Sequence, residues 1–421
     1  MTKHEAPERT TDRQERIPGF MQSVLRNAKV MVIGAGATGN EVLKNLALTG
    51  FGYVFITDMD TISTSNLSRT VLFTPADVGK PKAETAAHRF IEMNIATGRA
   101  DYLNGDVCME LGEGVFRRFD LVINCVDNDQ TRLFVSEICQ RLEIPFIDIG
   151  IGGFNWNVFV TSGKKGSPCF ACTMSTREEE SSLARFRNSC DVTRLVAAAE
   201  EKVPTIAVSS SMAAAKAVEE VIKVLHHIAD PSSKLPKPQI GYMWYYNGET
   251  SAMSRIKFKV RNDCRHHDHY SDLGNIIEAP FSVRSRVCDV LEWANESYQS
   301  TFTLSLFKDC SCVDHAFVTT GRCVHCGKPI DVFKPQFTLL DEDLLCTNCR
   351  KTKCSATQLS ESVLKTSFSM EDENKILNMS LGEIGIPKGH VIVLEPDDDS
   401  QLPLLLELSE DVRDVISNIC E

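Results

Sequence analysis

The 421-residue chain contains no apolar run approaching the roughly eighteen residues of a membrane-crossing helix, so its 43% hydrophobic content is expected to fill two or three soluble cores. A secretory signal is missing too: residues 1–16, MTKHEAPERTTDRQER, are polar and charged, which points to the cytoplasm. Positive charge is in short supply. A formal charge of −12 and a pI near 5.4 argue against a general nucleic-acid surface and favour basic partners or a soluble enzyme. No internal repeat is present. Cysteine, by contrast, is plentiful: sixteen residues, several in C-x2-C pairs that read as zinc ligands rather than disulfides in a reducing compartment.

From residue 29 to about 228, short β-branched runs alternate with helical patterns, as a mostly parallel sheet requires. The pattern predicts strands at 29–33, 53–57, 120–124 and 145–149. Helices are predicted at 39–49, 80–93, 130–142 and, from an Ala-rich stretch without Gly or Pro, 207–227. The predicted class is α/β, a doubly wound, mostly parallel Rossmann-like sheet. IGYMWYYNG and SRIKFKVRN add two strands that close a first domain over residues 1–272. Residues 174–190 are polar and aperiodic and are expected to form a mobile loop within a 173–204 segment. A linker and a Cys-rich unit at 273–354 follow. The tail at 355–421 carries two strands, HVIVLE and LPLLLEL, around the acidic turn PDDDSQ.

MVIGAGATGN, residues 31–40, places Gly34, Gly36 and Gly39 in a G-x-G-x-x-G turn between a predicted strand and a predicted helix, where a phosphate can approach the backbone. Asp58, nineteen residues beyond Gly39, ends the next strand and suits an acidic hold on a ribose hydroxyl. To this point a nicotinamide dinucleotide and ATP fit equally. Arg69 and Lys82 favour ATP, because a triphosphate being cleaved needs cations on its terminal oxygens, whereas a redox dinucleotide needs little beyond helix-end amides. Asp127 stands just past the buried run DLVIN, at the carboxyl edge of the sheet, where it could hold Mg²⁺. Its alternative role is a helix N-cap, which Asn128 or Asp129 could supply instead.

Cys169 and Cys172 form one C-x2-C pair, and Cys264 with His267 forms a C-x2-H partner far along the chain. Together they make a four-coordinate structural zinc site, with His266 or His269 as alternatives for the fourth ligand. Cys323, Cys326, Cys346 and Cys349 have zinc-ribbon spacing, with no position left open for catalysis. Cys190 stands apart from these pairs. Arg185 and Arg187 lie within five residues of it and could raise its thiolate fraction, although isolated cysteines are more often small buried hydrophobes.

GAGATGNEVLKNLALTGFGYVFITDMDTISTSNLSRTVLF, with DVGKPKAE and FDLVINCVDN after it, resembles the ThiF/MoeB and E1-like ubiquitin-activating superfamily over residues 10–270. Within that superfamily the resemblance extends to the compact E1-like proteins encoded in bacterial ubiquitin-like operons. The resemblance implies that Asp58, with Asp60 completing a DxD, binds the ribose, that Asn66, Arg69 and Lys82 bind the phosphates, and that Asp127 coordinates Mg²⁺. It implies a homodimer in which Arg13 or Arg16 reaches the partner's γ-phosphate, and an acceptor role for Cys190, which would take the acyl group as a thioester. Thr38 and Thr70 depart from the family pattern and receive no family role. Residues 381–411 resemble the last strands of the ubiquitin-fold domain, a small β-grasp that recruits a conjugating enzyme.

The implied activity is adenylation of the C-terminal glycine of a ubiquitin-like protein, then thioester formation and transfer to an E2-like conjugating enzyme. Two alternatives are a sulfur-carrier adenylyltransferase of thiamine or molybdopterin-type biosynthesis and a scaffold subunit without ATP chemistry. Retention of Arg69, Lys82 and Asp127 disfavours the scaffold.

Overall fold

The computed structural model describes residues 9–187, 204–306, 316–323, 326–339, 343, 346, 348–349, 360–398 and 400–416. An eight-stranded sheet organises the first two thirds of the chain. Its strands are β1 (Lys29–Ile33), β2 (Tyr53–Thr57), β3 (Arg99–Leu103), β4 (Leu121–Asn124), β5 (Phe146–Gly152), β6 (Asn155–Thr161), β7 (Tyr242–Asn247) and β8 (Ala252–Lys257). They lie in the order β3-β2-β1-β4-β5-β6-β7-β8, the first five parallel and the remainder antiparallel.

Side-chain alternation fills two cores at once. Val30, Val32, Val54 and Ile56 pack beneath the helices Ala37–Thr49, Lys82–Met93 and Ala207–Ala229, while Met31, Ile33, Tyr53 and Phe55 face the helix Asp129–Arg141 and the short turns around Val107 and Phe116. The predicted α/β class and its main elements are present: the strands at 29–33 and 53–57 have the predicted bounds, and the other strands and helices predicted between residues 29 and 228 differ by at most three residues at either end. β3 was not predicted from RADYL because it is an edge strand with only Ala100 buried, so it carries no apolar alternation.

One expectation is corrected. Much of the segment read as a 174–190 loop is the helix Thr176–Arg187. Its start is a reciprocal cap: Ser175 Oγ donates to the Glu178 carboxylate at 2.7 Å, and Glu178 N–H donates back to Ser175 Oγ at 3.3 Å. Charged composition concealed a capped helix.

The C-terminal part contains a second sheet of β9 (Ile276–Ala279), β10 (Phe302–Ser305), β14 (Ser367–Phe368), β15 (Val391–Pro396) and β16 (Leu404–Leu408), in the order β14-β10-β15-β16-β9. A three-stranded sheet of β11 (Phe317–Arg322), β12 (Pro329–Pro335) and β13 (Ser360–Lys365) is inserted between β10 and β14. The tail expected at 355–421 therefore shares its sheet with strands from the segment expected to be linker and ribbon.

One face of this second sheet carries the helix Val287–Tyr298, and on the other Val391 and Leu405 pack against Tyr270. Val412 and Ile416, in and after the helix Ser409–Val415, enter the core of the first domain. Backbone contact locks the seam: Gly112 N–H donates to Lys388 O and Gly114 N–H to Gly389 O, both at 2.8 Å. A Cβ on Gly114 would come within 2.5 Å of the Gly389 oxygen. Glu407, wholly buried, accepts from Arg117 and Arg118 across the seam. Removing both arginines strands a buried carboxylate, whereas Glu407→Gln removes the charge itself. Denaturant titration should show R117A/R118A destabilised by about 3–5 kcal/mol and Glu407→Gln by distinctly less; equal losses would contradict this account of the seam.

Candidate nucleotide site and metal clusters

The chain leaves β1 toward β2 on one side, and β4 leads to β5 on the other, so a crevice opens beyond the carboxyl ends of β1 and β4. Its floor is the glycine turn. Gly34 adopts φ +90° and donates its N–H to Thr57 O at 2.8 Å. A Cβ on Gly39 would lie 2.0 Å from the Gly34 oxygen, so the following helix can begin this close to the strand only with glycine there. Gly36 differs: a Cβ would meet nothing within 4 Å, and the residue caps the helix without a side-chain bond. The first-turn amides are thus left for a ligand in open space.

The crevice encloses about 510 Å³ and brings Gly34, Gly36, Asp58, Asp60, Asn66, Arg69, Lys82 and Asp127 to one wall or another. Asp58 accepts from Ala35 N–H at 2.7 Å and Asp60 N–H at 2.9 Å. Burial pushes its carboxyl above the usual carboxylate range, and the nearby Lys82 opposes that shift. Lys82 Nζ lies 2.6 Å from an Asp60 oxygen. Asn66 accepts from Ser63 N–H at 2.8 Å, and Arg69 donates to Ser65 O at 2.6 Å, so the SNLSR stretch is pinned by its own turn. The helix Asp129–Arg141 is capped by Asn128, which accepts from Thr131 N–H at 2.8 Å. Asp127 is exposed and makes no hydrogen bond or ion pair among the described residues, so its carboxylate faces the crevice uncommitted.

Gly39 lies beneath the crevice rather than in its lining. Arg13 and Arg16 are exposed and remote from it. Their neighbour Gln14 donates to Thr49 O at 3.0 Å, at the far end of a helix about 20 Å long whose opposite end forms the site. Neither reaches the crevice within one chain. Sequence reading missed Arg132, Asp106 and Thr205, which also line it. For Arg132 the available signal was a charged residue one turn past Asn128; for Thr205 there was none.

Cys169, Cys172, Cys264 and His267 converge with their ligand atoms within 4.8 Å of one another. Cys169 Sγ lies 3.7 Å from Cys172 Sγ and 3.6 Å from Cys264 Sγ, and Cys172 Sγ lies 3.2 Å from His267 Nε2. A tetrahedral zinc with bonds of about 2.3 Å to sulfur sets its thiolates about 3.8 Å apart, so this donor set fits zinc. His266, the sequence alternative, points elsewhere: Nδ1 donates to Glu137 and Nε2 to Glu179, each at 2.9 Å. Burial alone would push its imidazole down, but the two carboxylates overcome that and raise its pKa to about 10. His269 lies beside Gln140 instead. Cys323, Cys326, Cys346 and Cys349 form a second cluster, with 3.8 Å between Cys323 and Cys349 and 3.6 Å between Cys326 and Cys346. Cys190, the expected acceptor, lies outside the described residues.

A doubly wound sheet with a glycine turn, a carboxylate at the end of its second strand and two cations over the crevice defines a nucleotide-binding α/β protein. Residues 11–266 match the ThiF family, and the chain belongs to it. It is 38% identical over 149 residues to SUMO-activating enzyme subunit 2 of Dictyostelium discoideum, a match covering 35% of this chain and 22% of that protein. Over 186 residues it is 36% identical to the NEDD8-activating enzyme E1 catalytic subunit of Caenorhabditis elegans, covering 39% of this chain and 43% of that one. The matches span less than half the length of these relatives. Among solved structures, E. coli MccB with succinimide has a TM-score of 0.46 at 22% identity, covering 58% of this chain and 67% of that one.

Metal analysis of the purified chain should find two zinc ions, one per cluster. Cys264→Ser should remove one and lower the melting temperature of the first domain, and Cys346→Ser should remove the other. Retention of both ions in either variant would refute the ligand assignment.

Proposed function

We propose that this chain uses ATP to adenylate the C-terminal glycine of a ubiquitin-like protein. The supporting observation is the convergence of Arg69, Lys82 and the uncommitted Asp127 on the crevice that also holds Asp58. A carboxylate is a poor acyl donor, because its leaving group would be oxide. Bonding it to the α-phosphorus with expulsion of pyrophosphate creates a mixed anhydride that a thiol can attack. The chain's task is alignment of a near-linear displacement and placement of cations where charge accumulates. Asp58 would hold the ribose, the amides after Gly36 and the side chains of Asn66, Arg69 and Lys82 would hold the phosphates, and Asp127 would hold Mg²⁺, which neutralises phosphate charge.

In a homodimer, Arg13 or Arg16 of one protomer would complete the phosphate site of its partner. Cys190 would then take the acyl group as a thioester and pass it to an E2-like conjugating enzyme. The mixed sheet carrying Val391–Pro396 and Leu404–Leu408 supports a recruiting ubiquitin-fold domain.

ATP–pyrophosphate exchange with small β-grasp proteins ending in glycine tests the first step. Lys82→Ala should lower exchange about 10²- to 10³-fold without changing the melting temperature appreciably. No exchange with any such partner would overturn the reading. Mass spectrometry of Cys190→Ala should find adenylate without thioester, and an undiminished thioester would remove Cys190 from the mechanism.

A further inference from the structure

The nucleotide crevice has a neighbour, an open groove of about 460 Å³ walled by Asn157 of β6, Tyr245 of β7, and Arg177 and Ser181 of the helix Thr176–Arg187. Among the described residues, Arg132 alone lines both. Its guanidinium is fixed at the junction. Nη2 donates to Val126 O at 2.9 Å and to Ile149 O at 3.2 Å, joining the loop after β4 to the middle of β5. The Phe170 ring, from the first cysteine knuckle, lies 5.9 Å from it.

Behind the guanidinium stands Asp148, wholly buried on β5. One of its oxygens accepts from Asn124 Nδ2 at 2.8 Å; the other lies 3.4 Å from Arg132 Nη1, within reach of charge but without a hydrogen bond. Arg132 Nε is likewise buried and without a hydrogen-bond partner. Asp148 therefore attracts the cation while leaving Nε and part of Nη1 uncommitted. A carboxylate taken out of water in this way is costly unless a cation stays beside it, which restricts where Arg132 can point.

We propose that Arg132 receives the carboxylate of the acyl substrate at the junction of the two cavities, with Asp148 as its positioning residue. This rests on the adenylation reading above and adds a specific role to it. In the reaction one carboxylate oxygen bonds to the α-phosphorus as the bond from that phosphorus to the bridging oxygen of pyrophosphate breaks. No proton moves, and the negative charge passes from carboxylate to pyrophosphate. A guanidinium held at the junction of the two cavities, with Nη1 not hydrogen-bonded to the chain, offers a planar donor to an anionic peptide end facing the phosphate, which a lone ammonium would orient less well.

The probes are AMP and 5′-O-[N-(N-acetylglycyl)sulfamoyl]adenosine, a stable mimic of a peptidyl adenylate that keeps the acyl oxygen left by the carboxylate and bears no ammonium, titrated calorimetrically into the full-length chain. Wild type should bind the mimic at least about tenfold more tightly than AMP. Arg132→Gln should erase that preference and leave AMP affinity within about twofold. Arg132→Lys and Asp148→Asn should each reduce the preference severalfold with AMP affinity retained. An intact preference in Arg132→Gln or Arg132→Lys, or parallel loss of AMP and mimic binding in Arg132→Lys, would overturn the assignment, as would a wild type that binds AMP without preferring the mimic. Failure of wild type to bind AMP or ATP at all would instead count against the adenylation reading.

Discussion

The close approach of Gly39 to the carbonyl of Gly34 is the constraint on which the site depends. Without a side chain at residue 39, the helix Ala37–Thr49 starts in contact with the end of β1, and its first amides project over the edge of the sheet. Asp58 then hydrogen-bonds back to Ala35, so the second strand and the glycine turn become one rigid rim. Lys82, Arg69 and Asp127 reach that rim from three separate segments: Arg69 is held by the Ser65 carbonyl and Lys82 by Asp60, while the Asp127 carboxylate is uncommitted. Such a cradle forms before any polyanion arrives, and preorganised charge is worth more than charge that must be assembled on binding.

A second polar system ties the first cysteine–histidine cluster to the helices beside it. Glu113, Arg141, Glu137, His266, Glu179 and Arg261 alternate in sign along a buried chain of ion pairs. It joins the helix Asp129–Arg141 to the helix Thr176–Arg187 and to the loop carrying Cys264 and His267. This explains why His266 stands outside the cluster of Cys169, Cys172, Cys264 and His267 although it adjoins it in sequence. Between two buried carboxylates its ring is worth more as a cation, and it is His267 whose Nε2 faces the Cys172 sulfur.

The C-terminal module is joined to the first domain by more than a linker. Its last helix contributes Val412 to the core under β1 and β2, and Gly112 and Gly114 are used where two backbones touch. The inserted three-stranded sheet is anchored in turn: Phe317 is wholly buried in the module's core, its ring 5.7 Å from that of Phe368 and steeply tilted against it. The cluster of Cys323, Cys326, Cys346 and Cys349 lies at the other end of that sheet, where a metal would brace the small buried group that Cys323 and Cys346 form with Ile330.

Local pattern was enough for the α/β class, the glycine turn, and the grouping of Asp58, Arg69, Lys82 and Asp127, because strand alternation, helix periodicity and turn glycines are written in consecutive residues. It was enough also for the three cysteines of the first cluster and all four of the second, since C-x2-C spacing reflects the geometry of one ion. The capped helix in the 174–190 segment was hidden by its charge, as its stability comes from Glu179 meeting His266 and Arg261 more than eighty residues away. Only tertiary structure could choose His267 over His266, place Arg132 between two cavities, and gather strands on both sides of the cysteine insertion into one sheet. Each of these depends on which distant groups share a low-dielectric space, and no short window of sequence contains that information.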